Sequence, residues 1–203
     1  MNSKYKILKF KSNASKEVDD QISIEEPLEI IIKYKDKNNW VENTISITMR
    51  TPGEDKDLVR GFLFNERVIE KINYIEKIEE SGELVGQYKL RNKVIVTINN
   101  PENIDVDKIK RNFLTNSSCG VCGKTSLDSL EIIKKDKVTK SIPKIPHKVI
   151  MRSPDMLRQN QSEFSKTGGI HASGLFAANG DIVAVKEDVG RHNALDKLIG
   201  YVL

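Results

Sequence analysis

Thr44-Ile45-Ser46-Ile47-Thr48-Met49-Arg50-Thr51-Pro52-Gly53-Glu54-Asp55 is the stretch that decides the fold class, because its periodicity changes halfway. Up to Met49, apolar and hydroxyl residues alternate with the two-residue period of a half-buried strand. From Arg50 the chain turns through Pro52 and Gly53. Leu58, Val59, Phe62 and Leu63 then recur at helical spacing, which predicts a helix over Glu54 to Glu66. Upstream, residues 22–34 alternate more loosely around Pro27, and the polar residues 35–39 make a turn, so 22–34 and 44–49 predict a hairpin. Downstream, residues 72–79 and 88–98 predict further strands. The first 110 residues therefore read as an α+β unit.

Beyond it the pattern is more broken. Residues 107–114 predict a short helix, 115–124 form a small-residue loop, and Ser and Thr ahead of Leu127, Leu130 and Ile133 predict a helix over 125–133. Pro143 and Pro146 punctuate a connection, after which Ser153-Pro154-Asp155 is read as opening a helix to Gln161 or Phe164. The last forty residues look like a separate unit: a hairpin over 174–185 with an Asn179-Gly180 turn, then a helix from Arg191 to Val202. That helix carries Ala194, Leu195, Leu198, Ile199 and Val202 on one face.

With 203 residues, 38% apolar and 31% charged, the chain has a globular composition and material for one large domain or two small ones. Its 33 Lys and Arg against 29 Asp and Glu leave a net charge of +4. That is mild basicity, so no nucleic-acid partner is expected. Only the Lys-rich opening, residues 1–16, reads as a flexible basic arm. No apolar run approaches the roughly 20 residues of a membrane helix, and no secretory signal is legible, so a cytoplasmic location with no membrane partner is expected. In that compartment a pair of cysteines is kept reduced, which favours chemistry or metal binding over a structural staple.

The cysteines number two, Cys119 and Cys122, in Ser117-Ser118-Cys119-Gly120-Val121-Cys122-Gly123-Lys124. Three roles for the pair stay open beside a chance occurrence in a turn. A structural zinc would need two more ligands from His147, His171 and His192, which lack any short-range spacing. A redox role would make a reversible disulfide, although a thioredoxin-like motif follows a strand and here a loop precedes the pair. Sulfur transfer needs a thiolate, and a helix start with Lys124 beside it lowers a thiol pKa. Such a pair could carry a persulfide on one sulfur while the other attacks or releases it.

Two further segments invite function. Thr167-Gly168-Gly169-Ile170-His171-Ala172 sets a double glycine before a strand, where a plain turn and close approach to a ligand both remain open. Glu187-Asp188-Val189-Gly190-Arg191-His192-Asn193 leads into the last helix, whose start with Gly, Arg and His suits an anion such as a nucleotide phosphate. Ordinary capping by Asp188 or Asn193 is the competing reading. The carboxylate pairs Glu25-Glu26 and Glu54-Asp55 read as structural: neighbours in a strand point to opposite faces, and acids in a first helical turn complement the dipole.

Together these segments resemble one family, the formate dehydrogenase accessory sulfur carriers of the FdhD type. The resemblance rests on Glu25-Glu26-Pro27-Leu28-Glu29-Ile30, Met49 to Asp55, Gly61-Phe62-Leu63, the cysteine loop, Thr167 to Ala172 and Glu187 to Lys197, in that order. It implies a sulfurtransferase that accepts a persulfide from a cysteine desulfurase on Cys119, with Cys122 assisting. The sulfur would go to a molybdenum or tungsten bis-pterin guanine dinucleotide cofactor, bound as substrate, in the service of formate dehydrogenase. Gly169, His171, Arg191 and His192 would be its binding residues, with no resident metal ion and a homodimeric assembly.

The implied fold is α/β: an N-terminal α+β domain over 17–114, the CxxC loop over 115–124, and the start of a cytidine-deaminase-like domain over 125–203. His192 lies near the position of a deaminase zinc ligand, but the deaminase Glu and Pro-Cys-x-x-Cys do not follow it, so deaminase chemistry is not expected. Family members usually continue for several dozen residues past this helix. That domain is therefore expected to be incomplete here, whether by truncation, a split gene or completion through oligomerisation.

Overall fold

The computed structural model describes residues 1–86, 88–99, 102, 104 and 144–203. The helices expected over 107–114 and 125–133 and the cysteine loop lie outside the described residues.

The chain begins with a hairpin of two ten-residue strands, β1 (Asn2–Lys11) and β2 (Ala14–Ser23), joined by Ser12 and Asn13. This corrects the reading of residues 1–16 as a loose arm. The pairing was hidden because the apolar residues fall on both faces of the ribbon: Tyr5 and Ile7 on one, Leu8 and Phe10 on the other. Ile22 and Ser23, expected to open the next strand, belong to this hairpin.

A four-stranded mixed sheet follows, in the order β4-β3-β6-β5, from β3 (Glu26–Asp36), β4 (Asn39–Arg50), β5 (Ile75–Val85) and β6 (Leu90–Ile98). β3 pairs antiparallel with β4 and parallel with β6, and β5 closes the far edge. Between β4 and β5 the chain crosses as helix α1 (Asp55–Asn65) and a short 3-10 turn, Ile72–Tyr74, which occupies the start of the strand expected at 72. Leu28, Ile30, Ile32 and Tyr34, two apart on β3, share one face and are buried with Val94, Val96 and Ile98 of β6. Leu58, Val59 and Leu63 of α1 close over them. Each such side chain contributes about 2 kcal/mol of burial, so this face is the main core.

The second half contains α2 (His147–Gln159), α3 (Ser162–Thr167), the antiparallel pair β7 (His171–Phe176) and β8 (Ile182–Asp188), and α4 (Arg191–Val202). α2 starts six residues before the expected opening at Ser153 and runs through Pro154. Proline removes the amide that would bond the Ile150 carbonyl. The Ser153 hydroxyl donates to that carbonyl instead, at 2.8 Å. The β7–β8 connection is also longer than the two-residue turn expected: Ala177 and Asp181 bracket it, and Asn179 Oδ1 accepts from the Asp181 amide.

The last forty residues are not separate. α4 crosses α1 so closely that a Cβ at Gly61 would overlap the Asp196 carbonyl, and one at Gly200 the Asp57 carbonyl. Lys186 of β8 adds ion pairs to Glu54 and Asp57 and lies 4.2 Å from the Tyr201 ring centre. Contact with α1 also selects the buried stripe of α4. Ala194 and Leu198 are buried as expected, but Asn193, Asp196, Lys197 and Gly200 join them, while Leu195 and Val202 stay exposed. Among the described residues no helix is long and apolar enough to cross a membrane.

Candidate functional site

Asp188 ends β8 fully buried, and its two carboxylate oxygens are shared among four donors. Oδ2 lies 2.7 Å from Nζ of Lys197, itself 2% exposed, and accepts from the Thr51 amide at 3.1 Å. Oδ1 accepts from the Gly190 amide at 2.9 Å and from Nδ2 of Asn193 at 3.0 Å. Asn193 also donates to the Met49 carbonyl, at 2.7 Å, and its Oδ1 accepts from the Thr48 hydroxyl. Lys197 donates to the Thr51 carbonyl at 2.9 Å, and Thr51 Oγ1 accepts from the Val189 amide at 3.0 Å. A buried charge pair is tolerated only when its remaining valences are filled, and this network fills them.

The network continues into Arg50, 1% exposed, whose guanidinium forks onto Asp55 at 3.0 and 2.8 Å and reaches the Glu26 carbonyl at 3.2 Å. Glu54 is held in a left-handed conformation, φ 57°, as α1 opens. Hence the segment Met49–Asp55 acts as a keystone: one side grips α1, the other grips the turn into α4. No buried side-chain nitrogen or oxygen among the described residues lacks a partner.

The consequence is a defined start for α4. Its N-cap is Gly190 and no side chain caps it, because Asp188 and Asn193, the expected caps, are committed to the network. Arg191 and His192, its first two residues, are exposed, and their side chains make no hydrogen bond or ion pair with the described residues. His171 pairs with Asp188 across β7–β8, and Gly169 lies just before it, both exposed. The topology thus brings Gly169, His171, Arg191 and His192 to one end of one hairpin.

Neighbouring groups show why these glycines are there. Gly168 ends α3 in the left-handed region, φ 67°, which settles that residue as a helix stop. At Gly169 a Cβ would meet nothing closer than 4.0 Å, so internal packing does not demand the glycine, and the backbone stays open to a ligand. Glu187 turns the other way and accepts from the Glu163 and Phe164 amides at 2.9 Å each. Burial raises the Glu163 carboxyl, but the Asn2 amide and the Met1 ammonium, 3.3 Å away, outweigh it and hold the pKa below the usual carboxylate value.

On the far side of α4, burial pushes the Asp196 carboxyl up to about 7, against the Asn65 amide that donates to it at 2.5 Å. Glu66 and Asp188 add to the rise.

No group of three or more His, Cys, Asp or Glu is placed to hold a metal ion among the described residues. Cys119 and Cys122 lie outside the described residues. His147 opens α2, whereas His171 and His192 sit at the α4 site.

Thr51, Asp188, Asn193 and Lys197 were not expected to act together. Their one signal was Lys197 on the same helical stripe as Ala194 and Gly200, a face too poor in apolar residues to read as buried.

The chain is similar to several known proteins. The sulfur carrier protein FdhD of Picrophilus torridus is 41% identical over 187 residues, covering 92% of this chain and 65% of the relative. That of Sulfolobus acidocaldarius is 36% identical over 200 residues, 98% of this chain and 69% of the relative. The chain therefore spans about two thirds of the length of these relatives. A crystal structure of a candidate formate dehydrogenase accessory protein from Desulfotalea psychrophila has the same fold, with a TM-score of 0.62 at 21% identity over 99% of this chain and 68% of that one. The sequence model of the FdhD/NarQ family matches residues 23–203, and the chain belongs to that family.

Proposed function

We propose that this chain carries sulfur as a persulfide on Cys119 and delivers it to a molybdenum or tungsten bis-pterin guanine dinucleotide cofactor, its substrate, on behalf of a formate dehydrogenase. In the loading step the Cys119 thiolate attacks the terminal sulfur of a cysteine desulfurase persulfide. The donor S–S bond breaks, the desulfurase thiolate leaves, and Cys119 holds the new persulfide. Attack by the Cys122 thiolate on Sγ of Cys119 would then expel the terminal sulfur as hydrosulfide and leave a disulfide, to be reopened by a thiol reductant. The reaction takes place where a reduced pool keeps both thiols available, which is the cytoplasm.

The observation that carries the cofactor half of this reading is the uncapped start of α4, with Arg191 and His192 exposed and unpaired beside His171 and Gly169. Free amides and the positive end of a helix dipole favour a phosphate, and an Arg supplies a fork for its oxygens. These residues would hold the pyrophosphate or guanine-nucleotide end of the cofactor and orient it.

The test has two arms. Reduced protein incubated with a desulfurase and cysteine should gain one sulfur on Cys119 by intact mass and peptide mapping. No adduct, or a Cys119→Ala variant that loads like wild type, would overturn the transfer reading. Titration with guanosine diphosphate should show binding that weakens at least tenfold in Arg191→Ala. Unchanged affinity would remove α4 from the site while leaving the loading result to stand by itself. About one zinc per purified chain, lost in Cys122→Ser, would favour a structural metal instead.

A further inference from the structure

The β1–β2 hairpin is tied to the body at its base only. The Met1 ammonium lies 3.3 Å from Glu163, Asn2 donates to Glu163 at 2.6 Å, the Ser23 and Thr167 hydroxyls meet at 2.8 Å, and Ile24 donates to the Met1 carbonyl. From there the ribbon, about 30 Å long at strand rise, projects with residues 8–17 all exposed. Its outer part departs from the mixed charge of the rest of the chain. Residues 9–16 contain Lys9, Lys11 and Lys16 and no acid.

Register places Lys9 directly opposite Lys16, with Lys11 two positions on and facing the same way. The other face at this level carries Leu8, 62% exposed, and Phe10, 75% exposed. Like charges directly across a strand pair destabilise it, and a two-stranded ribbon has little stability to spare. Large apolar side chains in water add nothing to hold it either. Intramolecular packing therefore explains none of these five side chains, whereas a partner bearing carboxylates and an apolar seat would satisfy all of them.

We propose that the outer half of β1–β2 is a docking finger for an acidic segment of a partner protein. Carboxylates meet Lys9, Lys11 and Lys16, and Phe10 and Leu8 seat in apolar surface. The inner ribbon argues for protein over nucleic acid. Glu17, Asp19 and Asp20 follow at once along β2, with Lys6 spent on Glu17 at 3.5 Å, and a continuous phosphate backbone laid along the ribbon would meet them. An acidic patch on a protein can be confined to the tip. Both outer edges of the ribbon are also unpaired among the described residues, so an extended segment can add as a third strand.

The experiment uses the full chain and a fluorescein-labelled peptide of alternating Glu and Leu, followed by anisotropy at low and physiological salt. Binding should be salt-dependent, at least tenfold weaker for the Gln–Leu counterpart, and at least tenfold weaker for Lys9→Glu and for Phe10→Ser. Lys9→Glu turns the repulsive pair with Lys16 into an attractive one, so its hairpin is at least as stable and a loss of binding cannot come from unfolding. Peptide binding that ignores Lys9→Glu, or the absence of binding, would overturn the proposal. So would tighter binding of a single-stranded oligothymidylate than of the peptide, which would make the finger a nucleic-acid contact.

Discussion

Replacing Asp188 by Asn preserves its shape, removes its charge and leaves Lys197 enclosed without a counter-ion. Uncompensated buried charges of this kind cost about 3–5 kcal/mol, and Asp188→Asn is expected to lower the urea midpoint accordingly. Asp188→Asn combined with Lys197→Met should recover part of that loss, because the orphaned charge is gone. Asp196 predicts the opposite sign. Its carboxyl is raised from 3.8 to about 7 in the fold, so the native state resists ionisation. The contribution of Asp196 to stability is then fully present below pH 4, is lost as pH climbs from 4 to 7, and is flat above. Asp196→Asn should be neutral at pH 4 and stabilising at pH 8, by about 4 kcal/mol at most. Denaturation curves at the two pH values measure both limits, and an equal effect at each would show that Asp196 ionises freely.

Elements were legible where local signals agreed and obscure where a tertiary contact replaced one. α4 runs over Arg191–Val202 as expected, and α1 lies within a residue of its expected bounds, since turn, cap region and apolar spacing all concur. α2 was misplaced because Ser-Pro-Asp is a helix opening by every local rule, and only the Ser153 hydroxyl's bond to Ile150 makes Pro154 tolerable inside it. Pro154→Ala should therefore raise thermal stability, by about 1–3 kcal/mol given the cost of an interior proline, readable as a higher Tm by circular dichroism. Glycine in a helix normally yields to alanine with a gain of about 1 kcal/mol. Gly200→Ala is expected to do the reverse, since its methyl would meet the backbone of α1. A higher Tm for that variant would mean the two helices do not touch as described.

At the scale of the molecule, the sheet with α1 forms one core, and β7, β8 and α4 join it through the Asp188 network and the Gly61–Gly200 crossing. The N-terminal hairpin is attached at its base, through polar contacts to Glu163 and Thr167. A chain lacking residues 1–22 should consequently unfold in one transition with Tm within about 5 °C of the whole chain, a shift equal to about 1–2 kcal/mol at this size. Two transitions, or a large fall, would mean that the hairpin is part of the core.

Sequence alone determined the mixed α/β class, the bounds of the strongest helices and the residues that mark the family, because these depend on periodicity and turn chemistry carried by neighbouring positions. It also singled out Gly169, His171, Arg191 and His192 as separate candidates. Only the tertiary structure decided that they share one end of a hairpin, that Lys-rich residues 2–11 form a strand, and that Asn193, Asp196 and Lys197 of α4 are buried beside Ala194 and Leu198. Those outcomes rest on partners far apart in the chain: Thr51 with Asp188, Gly61 with Asp196, Lys9 with Lys16. A residue's own neighbours carry no record of what will cross it in space.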